Sequence, residues 1–359
     1  MINRLKKIYK NKKVLVTGST GFKGSWLCFL LNLLGSNVIG IGKLPEKGSI
    51  IFNSLRLKTK IKQHYIDIVD LKKLDKIIKK EKPNIIFHLA AQSVVSESYN
   101  QPIQNYSTNV MGSINVLECV KNNQIKNLVY ITSDKCYQNF EKKSGYKETD
   151  YLGGHDNYSA SKACAEIAFH AYNNSYFKSK KHSYVTARAG NVIGGGDFKI
   201  NRIIPDIIKS LGKNKNILIR NPGAVRPWQH VLEPISGYLL LGSKLMKRKL
   251  NSKLYPSWNF GPYSRNCKSV LYIANYILKS WYQNKKKIIF HKKNKFSESK
   301  ILKLNISKAK KELGWKPTLD LNTSLNLTVD WYKLFFLKKD MTNITKKQIE
   351  YFFLRKGQK

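Results

Sequence analysis

Three side chains able to hold and move protons stand side by side in the stretch ITSDKCY, residues 131–137. An apolar, strand-like run from Leu128 to Ile131 comes directly before them, and Ser133, Asp134 and Lys135 then follow in consecutive positions. A hydroxyl, an acid and a base are the groups that proton-transfer chemistry needs. An exposed turn that merely requires polar residues is the alternative interpretation, and this stretch alone leaves both open.

Tyr158 and Lys162 form a second candidate pair in the stretch YSASK. They are four residues apart, so both side chains project from one face of a predicted helix. A lysine beside a tyrosine lowers the pKa of the phenol, and the phenolate can take the proton of an alcohol while Ser133 holds the oxygen. The chain is rich in Tyr and Lys, so the spacing also arises by chance. Its position about one crossover after Ser133 favours catalysis.

The first predicted strand, KKVLVTG, ends in the glycine-rich stretch TGSTGFKG. Its GxxGxxG spacing, directly before a helix, permits a tight turn, close approach of a pyrophosphate and negative charge at the helix N-terminus. We therefore predict that this turn binds a dinucleotide whose nicotinamide reaches the Ser, Tyr and Lys described above, with a simple glycine-rich turn as the alternative. The predicted cofactor contacts in the turn are Gly18, Thr20, Gly21, Phe22 and Gly24.

Two later strand ends supply further candidate cofactor contacts. In YIDIVD, Asp67 and Ile68 are placed to hold the adenine, although Asp67 could equally be the start signal of the next helix. In HLAAQ, small residues pass beside the cofactor and a polar residue follows them on the substrate side. The residues concerned are Leu89, Ala90, Ala91 and Gln92.

The second predicted strand departs from the pattern usual for dinucleotide binding. The stretch NVIGIGKLPE has no acid at its end to hold the adenine ribose hydroxyls, and it offers Gly42 and Lys43 instead, with Glu46 a few residues later. The sequence therefore leaves the choice between NAD and NADP open.

Apolar runs that alternate with helical segments indicate how these residues are positioned. Near-continuous apolar strands between helices are typical of a parallel sheet covered on both faces, so we predict an α/β, Rossmann-type, doubly wound fold. Its ligand crevice lies outside the carboxyl ends of the strands, where Ser133 is expected. From about residue 191 prolines interrupt the pattern, which predicts residues 1–190 as the NAD-binding domain. Residues 191–359 would form a smaller substrate-binding region interleaved with it.

Composition narrows the possible function classes. The chain has 359 residues and a formal net charge of +43, but the excess of Lys and Arg is dispersed, so we interpret it as a solvated basic surface and expect no nucleic-acid partner. Five cysteines without a CxxC pair or metal-ligand spacing predict a reducing cytoplasm and no metal. No apolar stretch is long enough to span a membrane, and the N-terminus has no apolar signal core.

Taken together, these motifs resemble the extended short-chain dehydrogenase/reductase family, and within it the nucleotide-sugar dehydratases that act on CDP-glucose. The resemblance covers roughly residues 12–335 and is most specific in TSDKCY, GGHDNYS and RPWQHVLEP. Many other sugar-nucleotide dehydratases carry Asp-Glu where this chain has Asp134 and Lys135, which favours the CDP-glucose branch. The chain departs from the family in two places. It lacks the ribose-binding acid, and the loop QNFEKKSGY differs, which bears only on local packing.

The resemblance implies a three-step reaction in one site with NAD as cofactor. Tyr158 takes the hydroxyl proton as carbon 4 of CDP-glucose is oxidised, a base removes the acidified proton of carbon 5, and an acid protonates the departing 6-hydroxyl. Asp134 is the implied acid and Lys135 the candidate base. Hydride return to carbon 6 then gives CDP-4-keto-6-deoxyglucose.

The second region is expected to hold the nucleotide. Forked guanidinium groups suit a diphosphate, and Arg202, Arg220 and Arg226 lie on separate predicted elements that could converge on one. Each of them could equally be a surface charge. Asn191 is a further substrate candidate, and His230 is as suited to capping or packing as to binding.

The family resemblance also implies a homodimer, formed by helices carrying Gly112 to Val120 and Ala163 to Tyr172, and a role in lipopolysaccharide O-antigen biosynthesis. Two other function classes stay open. A related NAD-dependent nucleotide-sugar epimerase or dehydratase would share the glycine turn, Ser133, Tyr158 and Lys162. A basic binding protein without catalysis would have no need of Tyr158 or Lys162.

Overall fold

The computed structural model describes residues 1–45, 50–177, 183–250, 256–281, 286–290 and 301–357. Most strands coincide with short apolar runs of the sequence. In chain order the strands of these residues are β1 (Lys13–Thr17), β2 (Asn37–Gly42), β3 (Lys62–Tyr65), β4 (Ile85–His88), β5 (Asn127–Ile131), β6 (Ser183–Ala189), β7 (Val192–Ile193), β8 (Ile217–Ile219), β9 (Val225–Pro227), β10 (Gln229–His230), β11 (Ser257–Phe260), β12 (Cys267–Ser269) and β13 (Ile288–Phe290).

Helices alternate with the first strands and then dominate the end of the chain. Those of the described residues are α1 (Ile2–Tyr9), α2 (Phe22–Leu33), α3 (Ile50–Ser54), α4 (Leu71–Glu81), α5 (Val95–Asn100), α6 (Pro102–Tyr106), α7 (Gly112–Asn122), α8 (Asn157–Tyr176), α9 (Ile203–Gly212), α10 (Leu232–Met246), α11 (Val270–Ser280), α12 (Ser307–Leu313), α13 (Leu321–Phe336) and α14 (Met341–Gly357). A π-helical segment, Ser107–Met111, leads into α7, and 3₁₀ turns lie at Leu57–Thr59, Asp134–Cys136 and Ser264–Asn266.

One parallel sheet organises the molecule. In the described part of the chain it has seven strands in the order β3-β2-β1-β4-β5-β6-β11. The order reverses between β1 and β4, and in such sheets the crevice at this switch point, at the carboxyl ends of the strands, is where ligands bind. The predicted Rossmann-type doubly wound fold is therefore confirmed, and the residues that follow β1, β4 and β5 all lie along this crevice.

The alternating apolar residues of the strands bury both faces of the sheet. Val14 and Val16 pack into one core and Leu15 into the other, and all three are fully buried. This double burial explains why the strands have near-continuous apolar sequences. It also fixes the strand ends rigidly, which a site assembled from several strand ends requires.

The chain beyond residue 191 does not form a separate layer. β11 pairs in parallel with β6 and completes the sheet, so the last strand comes from the second predicted region. The expectation that prolines interrupt the elements here is wrong at two positions. Pro205 and Pro234 lie in the first turns of α9 and α10, where a missing N–H costs nothing.

Candidate active site

The stretch that carries Ser133, Asp134 and Lys135 turns sharply after β5. The extended backbone of the strand continues through Ser133, and the 3₁₀ turn Asp134–Cys136 follows. The Ser133 hydroxyl donates to Asp134 Oδ1 at 2.9 Å and accepts from the Lys135 backbone N–H at 3.3 Å. Ser133 and Asp134 are buried and Lys135 is half-buried, so this is not an exposed polar turn.

Asp134 occupies an unusual place for a carboxylic acid. It is only 3% exposed, and among the described residues its Oδ2 has no hydrogen-bond partner. Burial raises the pKa of Asp134, although the nearby charges of Lys135, Arg226 and Lys23 act in the opposite direction. A carboxyl group with a raised pKa keeps its proton to a higher pH than usual, which suits a proton donor.

Tyr158 and Lys162 project together from α8, which begins where Asp156 accepts a hydrogen bond from the Ser159 N–H. The Lys162 Nζ lies 6.0 Å from the centre of the Tyr158 ring. Burial raises the pKa of Tyr158 to about 12, against a hydrogen bond from Ser133 that lowers it. Burial, together with the charge of Lys23, lowers the pKa of Lys162 to about 7. The structure therefore brings Ser133, Tyr158 and Lys162 together as predicted.

Lys23 is a site residue that the sequence reasoning missed. It lies in the first turn of α2, inside the glycine-rich stretch, where its charge acts on Asp134 and Lys162. Burial and the guanidinium of Arg202 lower the pKa of Lys23 to about 8. The position of this lysine inside the glycine-rich stretch was the only sequence signal of this role.

The glycine turn is as tight as the GxxGxxG spacing predicts. Gly18 has a φ of +73°, and a Cβ there would lie 2.8 Å from the Ala90 nitrogen. A Cβ on Gly24 would lie 2.0 Å from the Gly18 carbonyl oxygen. Gly21, at the N-terminus of α2, is exposed, and a Cβ there would meet only the Gly18 carbonyl oxygen, at 3.3 Å, so this side is open to a pyrophosphate. The turn thus fits a dinucleotide.

The loop after β4 is held against this turn. The Thr17 hydroxyl accepts from the backbone N–H groups of Leu89 and Ala90 at 3.1 and 3.2 Å. Ala91 follows and is half-buried. Gln92 turns its side chain to the Val94 carbonyl and the Glu97 carboxylate, at 2.8 and 3.0 Å.

Asp67 and Ile68, which were predicted to hold the adenine of the cofactor, lie in two different environments. Asp67 forms an ion pair with Lys43 at 2.7 Å, and α4 is capped by Asp70, so the alternative that Asp67 starts this helix is wrong. The Ile68 side chain is buried in the core, where Gly112 packs against it. Thr20 donates to the Lys43 carbonyl at 3.2 Å, while Glu46 lies outside the described residues.

The three arginines predicted for the second region differ strongly in their surroundings. Arg202 binds Asp197 Oδ2 and the Ser93 hydroxyl, each at 2.7 Å, and so ties the loop after β4 to the second region. Arg226 is 6% exposed, and its charge acts on Asp134. Arg220 is exposed and lies 3.5 Å from Asp206 on α9.

Of the remaining two substrate candidates, Asn191 contacts β10 and His230 lies in it. Asn191 is half-buried at the end of β6, and its carbonyl accepts from the Gln229 N–H at 3.1 Å. His230 is fully buried, its Nδ1 accepts from the Leu232 N–H at 3.4 Å, and its ring packs against Trp26. These contacts favour the capping and packing alternative for His230.

Across the described ranges, no cluster of His, Cys, Asp and Glu side chains is arranged to hold a metal ion. None of the helices in the same ranges combines the length and apolar character of a membrane-spanning segment.

Known proteins similar to this chain point to one family. Residues 15–328 match the family described as GDP-mannose 4,6 dehydratase. The chain is 42% identical over 350 residues to CDP-glucose 4,6-dehydratase of Salmonella typhimurium, across 96% of this chain and 97% of that protein.

Solved structures share the whole architecture. An epimerase from Methanothermobacter thermautotrophicus has a TM-score of 0.79 at 24% identity, covering 94% of this chain and 96% of that one. The dTDP-glucose 4,6-dehydratase of Bacillus anthracis in complex with NAD has a TM-score of 0.74 at 23% identity, covering 90% and 96%. At these identities the similarity establishes the fold.

Proposed function

Because this chain belongs to the GDP-mannose 4,6-dehydratase family, and its motifs resemble the nucleotide-sugar dehydratases that act on CDP-glucose, we propose that it is a dehydratase that converts CDP-glucose to CDP-4-keto-6-deoxyglucose. The observation that carries the proposal is the buried Asp134, placed next to Lys135 and hydrogen-bonded to Ser133. An oxidation needs only Ser133, Tyr158 and Lys162. A neighbouring acid and base are what the elimination of water needs in addition.

Oxidation at carbon 4 requires Tyr158 to act as a base. Its pKa of about 12 in the protein alone means that the phenol carries its proton at neutral pH. The cation of Lys162 and the hydrogen bond from Ser133 favour the phenolate. The 4-hydroxyl proton can therefore pass to Tyr158 as the bond between carbon 4 and its hydrogen breaks. Ser133 also holds the same substrate oxygen.

Elimination uses the next two residues. Lys135 is half-buried in the turn, and we assign it as the base that removes the proton of carbon 5. Asp134 then donates its proton to the departing 6-hydroxyl, a role suited to a carboxyl whose pKa is raised by burial. When hydride then returns to carbon 6, carbon 5 needs a proton, and Lys135 gives back the one that it removed.

NAD is the cofactor that the glycine turn fits. When bound, NAD+ supplies a reversible hydride acceptor that takes hydride from carbon 4 and gives it back to carbon 6. Gly18 and Gly24 let the turn pack tightly, and Gly21 leaves its outer side open to the pyrophosphate. Lys162 would hold the nicotinamide end of the cofactor. Lys43 is paired with Asp67 at 2.7 Å, and this exposed ion pair reduces, without cancelling, its attraction for the 2′-phosphate of NADP.

CDP-glucose would lie between the loop after β4 and the second region. Arg202 bridges this boundary through Asp197 and Ser93, and the charge of Arg226 acts on Asp134 nearby. Their guanidinium groups can bind the diphosphate once substrate displaces part of their present contacts. We also assign Gln92, in the loop after β4, and Asn191, after β6, to contacts with the sugar. Arg220, which is exposed, would act at the outer end, and His230 would support the site from within the core.

A homodimer is supported by exposed apolar side chains on the expected helices. Ile167 on α8 is 55% exposed, and Met111, directly before α7, is 53% exposed. Such side chains on adjacent helices favour burial against a second copy of the chain. Sedimentation of the wild type and of Ile167→Glu tests this, because the variant should shift toward monomer.

All five cysteines are free thiols, which supports a reducing, cytoplasmic location. A 4-keto-6-deoxy sugar made there would supply deoxysugars, and we place the protein in lipopolysaccharide O-antigen biosynthesis on that basis.

The testing experiment is an incubation of the purified protein with CDP-glucose and NAD+. The proposal expects a product lighter by one water, with the alkali-induced absorbance of a 4-keto sugar and no net formation of NADH. A related epimerase would give a product of unchanged mass. NADH released in proportion to substrate would identify a simple dehydrogenase instead.

A further inference from the structure

Glu166 is a fully buried acid on the same helix as the catalytic tyrosine and lysine. It follows Lys162 by four residues and Tyr158 by eight, so all three side chains leave α8 on one face. Its carboxylate accepts from Arg188 Nε at 2.9 Å and from Arg188 Nη2 at 2.8 Å. It also accepts from the hydroxyls of Thr132 and Thr186.

Arg188, on β6, is 1% exposed and uses the rest of its guanidinium group on a different segment. Its Nη1 donates to the Tyr137 hydroxyl at 2.8 Å and to the Glu148 carbonyl at 3.2 Å. The Tyr137 hydroxyl in turn donates to Asn259 at 2.8 Å, on the last strand of the sheet. Every one of these groups is buried among β5, β6, β11 and α8.

The contacts of this ion pair enclose the catalytic turn. Thr132, bound by Glu166, directly precedes Ser133, and Tyr137, bound by Arg188, directly follows the turn Asp134–Cys136. Both ends of the segment that carries the hydroxyl, the acid and the base are therefore tied to one ion pair. The ion pair itself is anchored on the helix that carries the other two catalytic side chains.

We propose that Glu166 and Arg188 are a positioning pair that fixes the Ser133–Lys135 segment relative to Tyr158 and Lys162. This inference rests on the proposed function, since it concerns the geometry of that reaction. A buried ion pair stabilises a fold only weakly, because desolvation offsets the attraction, so we assign this pair to specifying one arrangement of the turn and the helix rather than to stability. Misplacement of reacting groups by about 1 Å can cost about 100-fold in rate.

The charge of Glu166 has a second effect on the site. Burial alone would raise the pKa of Glu166, but Arg188 and the hydrogen bonds hold it below its usual value, so Glu166 is a carboxylate. That charge raises the pKa of Lys162, in opposition to burial and Lys23. The groups that act on or face Lys162 from its own helix and from neighbouring elements are Tyr158, Glu166, Lys23, His88 and Cys136.

A matched pair of threonine variants separates positioning from stability. Thr132→Val and Thr186→Val each remove one hydroxyl that donates to the Glu166 carboxylate, but only Thr132 adjoins the catalytic turn. Both should lose a similar amount of stability on thermal unfolding. Thr132→Val should lower kcat about tenfold with little change in the KM for CDP-glucose, because a displaced Ser133 slows chemistry more than binding. Thr186→Val should stay close to the wild-type kcat.

The effect of the Glu166 charge on Lys162 is tested with Glu166→Gln, which keeps the shape of the side chain. Loss of the carboxylate should shift the pH dependence of carbon 4 oxidation toward lower pH, since Lys162 loses a group that raises its pKa. Glu233→Gln is the control, because Glu233 is also a buried acid, whose Oε1 accepts from the Thr318 and Leu319 N–H groups. It should lower stability without moving the pH profile.

Crystal structures of the two threonine variants give a readout that needs no turnover. The separation of the Ser133 and Tyr158 hydroxyl oxygens should change in Thr132→Val and not in Thr186→Val. Equal kcat values and unchanged separations in both variants would overturn the positioning role, whatever Glu166→Gln does to folding. Absence of any 4-keto product from the wild type would instead overturn the proposed function, and the crystallographic comparison would still decide the inference.

Discussion

Replacing Lys162 by methionine removes the cation nearest to the catalytic phenol. Its Nζ lies 6.0 Å from the centre of the Tyr158 ring, and both side chains are buried. At an effective dielectric constant of ~20, a unit charge at that distance favours the phenolate by ~2.8 kcal/mol, or ~2 units of pKa. Lys162→Met should therefore slow proton removal from the 4-hydroxyl by ~100-fold when Lys162 is charged.

The effect should depend on pH in a specific direction. Burial lowers the pKa of Lys162 to about 7, so its charge is present below that pH and is lost as the pH rises through it. Meanwhile Tyr158, with a pKa raised to about 12, needs the cation most at low pH. The ratio of wild-type to variant rates should thus be largest well below the Lys162 pKa and should shrink toward one well above it.

Single-turnover kinetics measure this ratio. Protein loaded with saturating NAD+ is mixed with CDP-glucose, and the absorbance of reduced nicotinamide reports oxidation at carbon 4. Lys121→Met is a matched control, because Lys121 also lies over a tyrosine ring, 4.9 Å from the centre of Tyr176, but remote from the site. Rates for Lys162→Met within about threefold of the wild type at every pH, against the ~100-fold expected, would refute the reasoning.

Three further predictions follow from the assigned roles. Tyr158→Phe should bind NAD+ normally, as judged by calorimetry, yet show no absorbance change with CDP-glucose, and rapid oxidation would contradict its role as the base. In deuterated solvent, Asp134→Asn should allow exchange at carbon 5 while loss of the 6-hydroxyl stalls. Lys135→Ala should oxidise carbon 4 with little exchange at carbon 5, and mass spectrometry distinguishes the two variants. Near-normal turnover of Lys135→Ala would assign the base to another group. CDP-glucose should outcompete dTDP-glucose by at least about tenfold in kcat/KM, or ~1.4 kcal/mol, and equal turnover would remove the basis for the cytidine assignment.

The strands of the sheet were predictable because their sequences are governed by burial on both faces. The run NVIGIG became β2, and the apolar run from Leu128 to Ile131 became β5 with Asn127 added at its start. The positions of Ser133, Tyr158 and Lys162 followed from strand ends and helical spacing, which are local properties.

Interactions between distant segments were not predictable in the same way. Lys23 acts on Asp134 and Lys162 only because α2 lies beside the ends of β5 and α8. The spacing of these residues in the sequence does not indicate that proximity. β11 was missed because its pairing with β6 depends on the second region folding back onto the sheet. Glu166 did carry a signal, its four-residue distance from Lys162, but its partner Arg188 becomes apparent only in three dimensions.

The most direct test of the central claim, that one site moves a hydrogen from carbon 4 to carbon 6 of the same sugar, is conversion of CDP-glucose deuterated at carbon 4. With catalytic NAD+, the account predicts a product one water lighter that carries the deuterium at carbon 6. Deuterium that stays at carbon 4, or that appears in released reduced cofactor, would contradict it.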